Sequence, residues 1–185
     1  MDVALHHHLS PPLADPAAFE AVYQRYHRQI FRYAIALCGG CAGDAEDITA
    51  ETFLRAWSGR ARFAGSQEQA LGWLLAIARH TLVDRRRLEK VERVSDALDD
   101  DLADLGRPLE EIVLRHADLQ AVLAAVHTLP LSQREIFILR YVMDWKVKDI
   151  ARQLSISENA ASVALHRAMK HLRSILNAKE PDHGR

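Results

Sequence analysis

One stretch near the C-terminus, residues 157–172, collects side chains that can hydrogen-bond to nucleic acid. Alanine and leucine recur there every three or four positions, which predicts a helix with one buried face. The opposite face carries amide, hydroxyl, imidazole and cationic groups, which suit base edges and phosphates in a major groove. The predicted members of this polar face are Ser157, Asn159, Ser162, His166, Arg167 and Lys170, together with the apolar Val163, which also points outward.

A shorter helical pattern precedes this helix, over residues 147–154, and the letters SIS separate the two. The arrangement predicts a helix–turn–helix, with Ile156 filling the turn. Lys148 on the first helix adds a cation that could reach a DNA backbone. Residues 159–179 contain four cations and no acid, so their field attracts phosphate and predicts salt-dependent binding.

A second basic cluster lies within residues 79–93, RHTLVDRRRLEKVER, which contain six basic and three acidic residues. The whole chain has 24 basic and 25 acidic residues, so total charge alone does not predict nucleic-acid binding. An acidic stretch between the two clusters offsets them. Two basic helical faces on either side of it indicate two DNA-contacting modules, which would gain affinity by acting together.

Helical periodicity dominates the chain and no stretch alternates as a strand does, which predicts an all-α protein of two small helical domains. Within these helices, Trp57 and Val83 fall on the predicted buried faces. Ser132 and Glu135 have the spacing of a capping box at a helix start. The predicted divisions are a disordered lead over 1–15, a domain over 16–94, a flexible acidic linker over 95–112, a helix–turn–helix domain over 113–178 and a tail over 179–185.

The two cysteines, Cys38 and Cys41, stand in CGGC and leave three interpretations open. The spacing suits a redox pair or half of a zinc site, but no strand pattern and no regularly spaced further ligands accompany it. The third interpretation is a helix C-terminus in which Gly39 and Gly40 supply left-handed backbone. We favour the third, and we expect no cofactor.

Nothing in the sequence indicates export or membrane insertion. No apolar run reaches the roughly 18 residues that a spanning helix needs, and the N-terminus lacks the features of a secretory signal. With two cysteines only, a reducing cytoplasm is the predicted location.

Three motifs, in this order, resemble the extracytoplasmic-function (ECF) group of the bacterial sigma-70 family of RNA polymerase sigma factors. They are DAEDITAETFLRAW (Asp44–Trp57), GWLLAIARHTLVDRRR (Gly72–Arg87), and LPLSQREIFILRY with DIARQLSISENAASVALHRAMKHLR. The resemblance implies a first domain that binds core RNA polymerase and opens the promoter −10 element, and a second that reads the −35 element. It also implies contact with the clamp and flap regions of the polymerase and control by an anti-sigma factor. It implies neither enzymatic activity nor a small-molecule substrate, because the polymerase supplies the chemistry.

Position within these motifs assigns candidate roles. The resemblance implies polymerase binding by Asp47, Glu51 and Arg55, and it implies capture of an unstacked −10 base by residues 63–70. It also implies contact with the −10 element by Arg79, His80, Asp84 and Arg86. Contact with the −35 element is implied for Lys148 and for the polar face defined above.

Ser155 stands where relatives commonly have glycine, which predicts a slightly different turn geometry. Two other functions stay open. One is a stand-alone helix–turn–helix regulator, and the other is a sensor, or a sensing sigma factor, that uses Cys38, Cys41 and histidines for redox or metal response.

Overall fold

The computed structural model describes residues 12–95 and 117–177, with side chains over 12–87 and 121–175. Every regular element in these ranges is helical, which confirms the all-α prediction. None of the described helices is long and apolar enough to cross a membrane. The helices are α1 (Pro16–Leu37), α2 (Ala42–Gly59), α3 (Ala70–Ser95), α4 (Ala117–His127), α5 (Leu131–Tyr141), α6 (Val147–Gln153) and α7 (Glu158–Asn177).

Helix α1 begins and ends where local chemistry predicts. The Asp15 carboxylate accepts a hydrogen bond from the Ala17 amide at 3.3 Å, and a proline occupies the first turn. At the other end Gly39 and Gly40 have φ of 68° and 97°, and the Gly40 amide donates to the Ile35 carbonyl at 2.9 Å. The helix-terminus interpretation of CGGC is therefore confirmed.

Two residues that were predicted to be buried, Trp57 on α2 and Val83 on α3, are exposed. Trp57 is 39% exposed and Val83 is 41% exposed. Both lie at the edge of an apolar stripe, and a small bundle covers only the middle of that stripe.

Leu13, in the predicted disordered lead, is fully buried, so the core begins before α1. Residues 96–116, which include nearly all of the predicted linker, lie outside the described ranges.

The start of α5 corrects the predicted capping box. The helix begins at Leu131 with Pro130 as its N-cap, and no side chain caps it. Glu135 does not reach back to the amide of Ser132. Instead its carboxylate is buried, at 3% exposure, against α1 and α3. Tertiary partners thus replace the local bond that the sequence spacing allowed.

The α1–α3 block and the α4–α7 block pack against each other. Helix α1 lies against both α4 and α5, and one continuous hydrophobic core contains buried residues from both blocks. The sequence predicts two modules held by a tether. The described structure instead has them closed on a shared surface.

Candidate polymerase and nucleic-acid interfaces

The predicted −35 face is assembled on α7 as expected. The Ser157 hydroxyl accepts from the Ala160 amide at 3.1 Å and caps the helix. Ala161, Ala168 and Leu172 are buried and fix the rotation of α7 against the α4–α7 block. All seven predicted polar-face residues, and Lys148 on α6, are consequently exposed.

The turn between α6 and α7 is tight and left-handed. Ser155 has φ of 55°, in the region that glycine enters most easily, so the turn keeps the glycine-type geometry despite its serine. The different geometry predicted from Ser155 is therefore wrong. Ile156 is 38% exposed, so it does not fill the turn as predicted. It lies instead at the surface, just before α7.

The predicted polymerase-binding residues lie on α2 and pair with α3. Arg55 contacts Glu51 at 2.7 Å and Asp84 at 2.8 Å, and these bonds, that to Asp84 first, raise the Arg55 pKa. Asp47 pairs with Arg85 at 3.1 Å. The three predicted clamp contacts and one predicted −10 contact, Asp84, therefore form one connected charged surface.

An exposed apolar strip borders this charged surface, and the sequence reasoning missed it. Leu54 is 62% exposed, and the Arg60 guanidinium stacks 3.5 Å from the Trp57 ring centroid. Tyr23, 42% exposed, packs edge-on against Phe53 at 4.8 Å. The periodicity predicted Trp57 in the core, because helical spacing does not distinguish the centre of an apolar stripe from its exposed edge.

A cavity of about 300 Å³ opens where the turn after α2 meets α3. Phe63 and Trp73 form an aromatic wall, with ring centroids 4.7 Å apart and planes tilted by 32°. The predicted base-capture loop supplies Phe63, and the predicted −10 set supplies His80. The residues that line the cavity are Arg55, Gly59, Arg62, Phe63, Trp73, Ile77 and His80.

The cavity size lies at the low end for ligand sites, and its walls combine ring faces with cations. Such a site can stack one planar base and neutralise its phosphate. The sequence reasoning did not assign Arg62, Trp73 or Ile77 to it. A tryptophan just inside α3, about two turns before the basic cluster, was the available signal.

The remaining predicted −10 residues are not gathered at the cavity. Arg79 contacts Glu135 of α5 at 2.9 Å, and Arg86 lies 3.3 Å from the His127 ring at the end of α4. Of the four predicted residues, only His80 lines the cavity. The second block thus occupies two side chains that the sequence assigned to promoter DNA.

The two cysteines are half-buried free thiols beside these contacts. Burial, followed by the charge of Asp44, raises the pKa of Cys38 to about 12. A thiol held protonated is the opposite of what a redox-sensing cysteine requires. The described residues contain no group of three or more His, Cys, Asp or Glu side chains placed to hold a metal ion.

Both blocks match known families. The model for Sigma-70 region 2 matches residues 22–91, and the model for Sigma-70, region 4 matches residues 119–172. A helical region 2 followed by a helix–turn–helix region 4 defines a sigma-70-type transcription initiation factor.

Individual relatives narrow the class. The ECF RNA polymerase sigma factor SigF of Caulobacter vibrioides (strain NA1000 / CB15N) is 30% identical over 164 residues, which cover 85% of each chain. The ECF factor SigL of Mycobacterium tuberculosis (strain ATCC 25618 / H37Rv) is 29% identical over 170 residues, covering 88% of this chain and 91% of SigL. The chain belongs to the ECF group of RNA polymerase sigma factors and directs core polymerase to promoters.

The fold has a solved counterpart. The sigma factor RpoE of Bartonella quintana, crystallised with the anti-sigma factor NepR, superposes with a TM-score of 0.68 at 22% identity. The alignment covers 88% of this chain and 98% of that one. This likeness is one of fold.

Proposed function

We propose that this sigma factor divides initiation among three surfaces. The α2 surface binds the polymerase clamp, the cavity at the start of α3 captures a base of the −10 element, and the α7 face reads the −35 element. The chain contributes binding energy and positioning, while the polymerase carries out the chemistry.

The single observation that carries the proposal is the cavity lined by Phe63, Trp73 and His80. A regulator that only binds duplex DNA has no use for a cavity with an aromatic wall beside cationic side chains. A factor that opens the duplex does, because base stacking on protein rings offsets part of the few kcal/mol that unstacking costs.

The α2 surface fits a polar partner with an apolar centre. The ion pairs of Arg55 with Glu51 and Asp84 are solvent-exposed, and such pairs contribute roughly 0 to 1 kcal/mol. They can therefore be exchanged for contacts with a partner at little cost. Leu54 and Trp57 supply the apolar area that would anchor that partner.

The α7 face fits a major groove. Asn159, Ser162 and His166 are exposed and carry groups that suit base edges, while the exposed Arg167 and Lys170 suit phosphates. Lys148 on α6 would reach the backbone beside the groove, as the first helix of such motifs does.

We further propose an anti-sigma protein as a regulator and the bacterial cytoplasm as the location. The RpoE structure from Bartonella quintana holds an anti-sigma factor, which supports the first part. The polymerase flap is the proposed contact of the α4–α7 block.

Affinity measurements with and without core polymerase test the proposal. The free chain should bind duplex promoter DNA weakly, and addition of core polymerase should increase its promoter occupancy at least tenfold. A stand-alone regulator would bind its site equally well in both conditions. The triple substitution Asp47→Ala, Glu51→Ala and Arg55→Ala should abolish the effect of core polymerase, whereas Glu20→Gln on the exposed side of α1 should not.

A further inference from the structure

Among the described side chains of α7, Val163 is the one large apolar group that is exposed, at 40%. The residues three and four positions from it on the same face include Asn159, His166 and Arg167, which are also exposed. Single exposed valines are common on protein surfaces and by themselves indicate no function. Val163 differs because it lies in the middle of the face that we propose reads the −35 element.

The packing of α7 fixes the direction in which Val163 points. Val163 precedes the buried Leu172 by nine positions, which is about two and a half helical turns, so the two side chains point to opposite sides. Ala161 and Ala168 are fully buried on the same inner side as Leu172. Valine also has one strongly preferred χ1 rotamer in a helix. The two methyl groups are therefore presented outward with little rotational freedom left to lose on contact.

The first half of α7 contains no lysine or arginine. Glu158 is the one acidic or basic residue over 158–165, and the cations of the helix begin at Arg167 and continue with Lys170 and Arg173. In a helix–turn–helix, the N-terminal residues of the second helix approach the base edges. Attraction to phosphate therefore comes from the second half of α7, while the first half is left to contact bases mainly through neutral groups.

Thymine is the one base that presents a methyl group in the major groove. Its C5-methyl lies beside the O4 acceptor, whereas guanine, adenine and cytosine present hydrogen-bonding atoms there. The methyl groups of Val163 cannot hydrogen-bond, so they would strip water from such atoms without replacing it, which is costly. Contact with a thymine methyl instead removes two apolar surfaces from water, which is favourable.

Asn159 lies one turn before Val163 on the same face of α7, about 6 Å away along the helix axis. An asparagine amide can accept a hydrogen bond from the adenine N6 amino group and donate one to adenine N7. Base pairs of B-DNA are about 3.4 Å apart, so the two side chains can reach base pairs one or two steps apart. Together they favour a site that contains A·T pairs.

We propose that Val163 is a specificity-determining residue that contacts the C5-methyl group of one thymine in the −35 element, while Asn159 contacts an adenine nearby. The −35 element of this sigma factor then contains at least one A·T pair whose thymine methyl contributes to binding. This inference deepens the proposed −35 role of the α7 face and rests on it.

Uracil substitution tests the methyl contact, because uracil differs from thymine only in lacking the C5-methyl group. Promoters are first selected from a genomic library by run-off transcription with core polymerase and the full chain. Duplex probes of one selected promoter then carry uracil in place of a single −35 thymine at a time, on either strand, and holoenzyme binding is measured. At one position uracil should weaken binding about fourfold, the effect of one methyl group no longer buried.

The variant Val163→Ala identifies the side chain that contacts the methyl group. It should weaken binding to the all-thymine probe about fourfold and should bind the uracil probe as tightly as the unmodified chain does, which isolates the pairwise contact. The matched control is Val83→Ala, the same change at 41% exposure on α3, and it should keep the fourfold effect of uracil. Alanine favours helix more than valine does, so both variants should keep their helical circular dichroism.

Two results would overturn the inference. One is a −35 element in which uracil has no effect at any position, and the other is a uracil effect that Val163→Ala leaves unchanged. Initiation on the unsubstituted promoters separates this inference from the proposed function. If the unmodified chain initiates but uracil has no effect, only the thymine contact is refuted, whereas absence of initiation by the unmodified chain would refute the proposed function and the inference together.

Discussion

Replacing Trp73 by alanine should remove part of the aromatic wall of the proposed base-capture cavity. The centroid of the Trp73 ring lies 4.7 Å from that of Phe63, and the half-buried Trp73 side chain lines the cavity. We propose that a captured base stacks on this ring. Trp73→Phe keeps an aromatic surface in the same place and serves as the matched control.

The expected magnitude follows from stacking energies. One base stacked on an aromatic side chain contributes about 1 to 3 kcal/mol, which corresponds to roughly a 5- to 150-fold change in binding. Phe63 remains in the alanine variant, so we expect a loss near the middle of this range, about 20-fold. The phenylalanine variant should lose less than about fivefold, because most of the ring area is kept.

The assay is holoenzyme binding to fork-junction promoter probes that carry an abasic site at each −10 position in turn. On the intact probe Trp73→Ala should show its full loss. At the one position whose base enters the cavity, the abasic probe should bind the unmodified and variant holoenzymes equally. Such a cycle isolates the pairwise contact between ring and base.

Two results would refute this reasoning. One is a loss for Trp73→Ala that persists on every abasic probe, since the ring would then not contact a base. The other is a Trp73→Phe variant as weak as the alanine variant, which would indicate that cavity shape matters rather than stacking. Thermal unfolding of all three proteins controls for damage to the fold.

Gly39→Ala should lower the free energy of unfolding by about 2 kcal/mol in urea titrations, because φ is 68° and the new Cβ would lie 2.8 Å from the His127 ring. Gly43→Ala, with open space around the added atom, should not destabilise. In a Cys41→Ser variant, which leaves Cys38 as the one thiol, Cys38 should react with an aromatic disulfide at pH 8 about 50-fold more slowly than free cysteine, because its pKa is about 12. The reaction rate should keep rising with pH, and a rate equal to that of free cysteine would contradict the burial of Cys38. Arg167→Ala should reduce the salt dependence of −35 binding by about one ion; an unchanged slope would remove Arg167 from the phosphate contacts.

Local patterns in the sequence predicted the helices and the recognition face. Helix α7 was predictable because the apolar period of Ala161, Ala168 and Leu172 fixes which side is buried, and the exposed side follows from it. The Gly39–Gly40 terminus was predictable because few residues other than glycine adopt positive φ readily.

The contacts between blocks could not be predicted from these patterns. An apolar stripe shows that a face is covered but not by what, so closure of α1 on α4 and α5 left no local sign. Glu135 shows the difficulty most clearly. Its spacing from Ser132 satisfied a capping box, yet partners 102 and 56 positions away along the chain, Tyr33 and Arg79, determine where its carboxylate lies.

Run-off transcription is the most direct test of the central claim that this chain directs core RNA polymerase to promoters. Core polymerase and the full chain are incubated with a genomic promoter library, and the start sites are sequenced. We expect discrete start sites that share −35 and −10 sequences, are absent with core polymerase alone, and are lost with Asn159→Ala/Arg167→Ala on α7. A set of start sites identical with and without the chain would contradict the account.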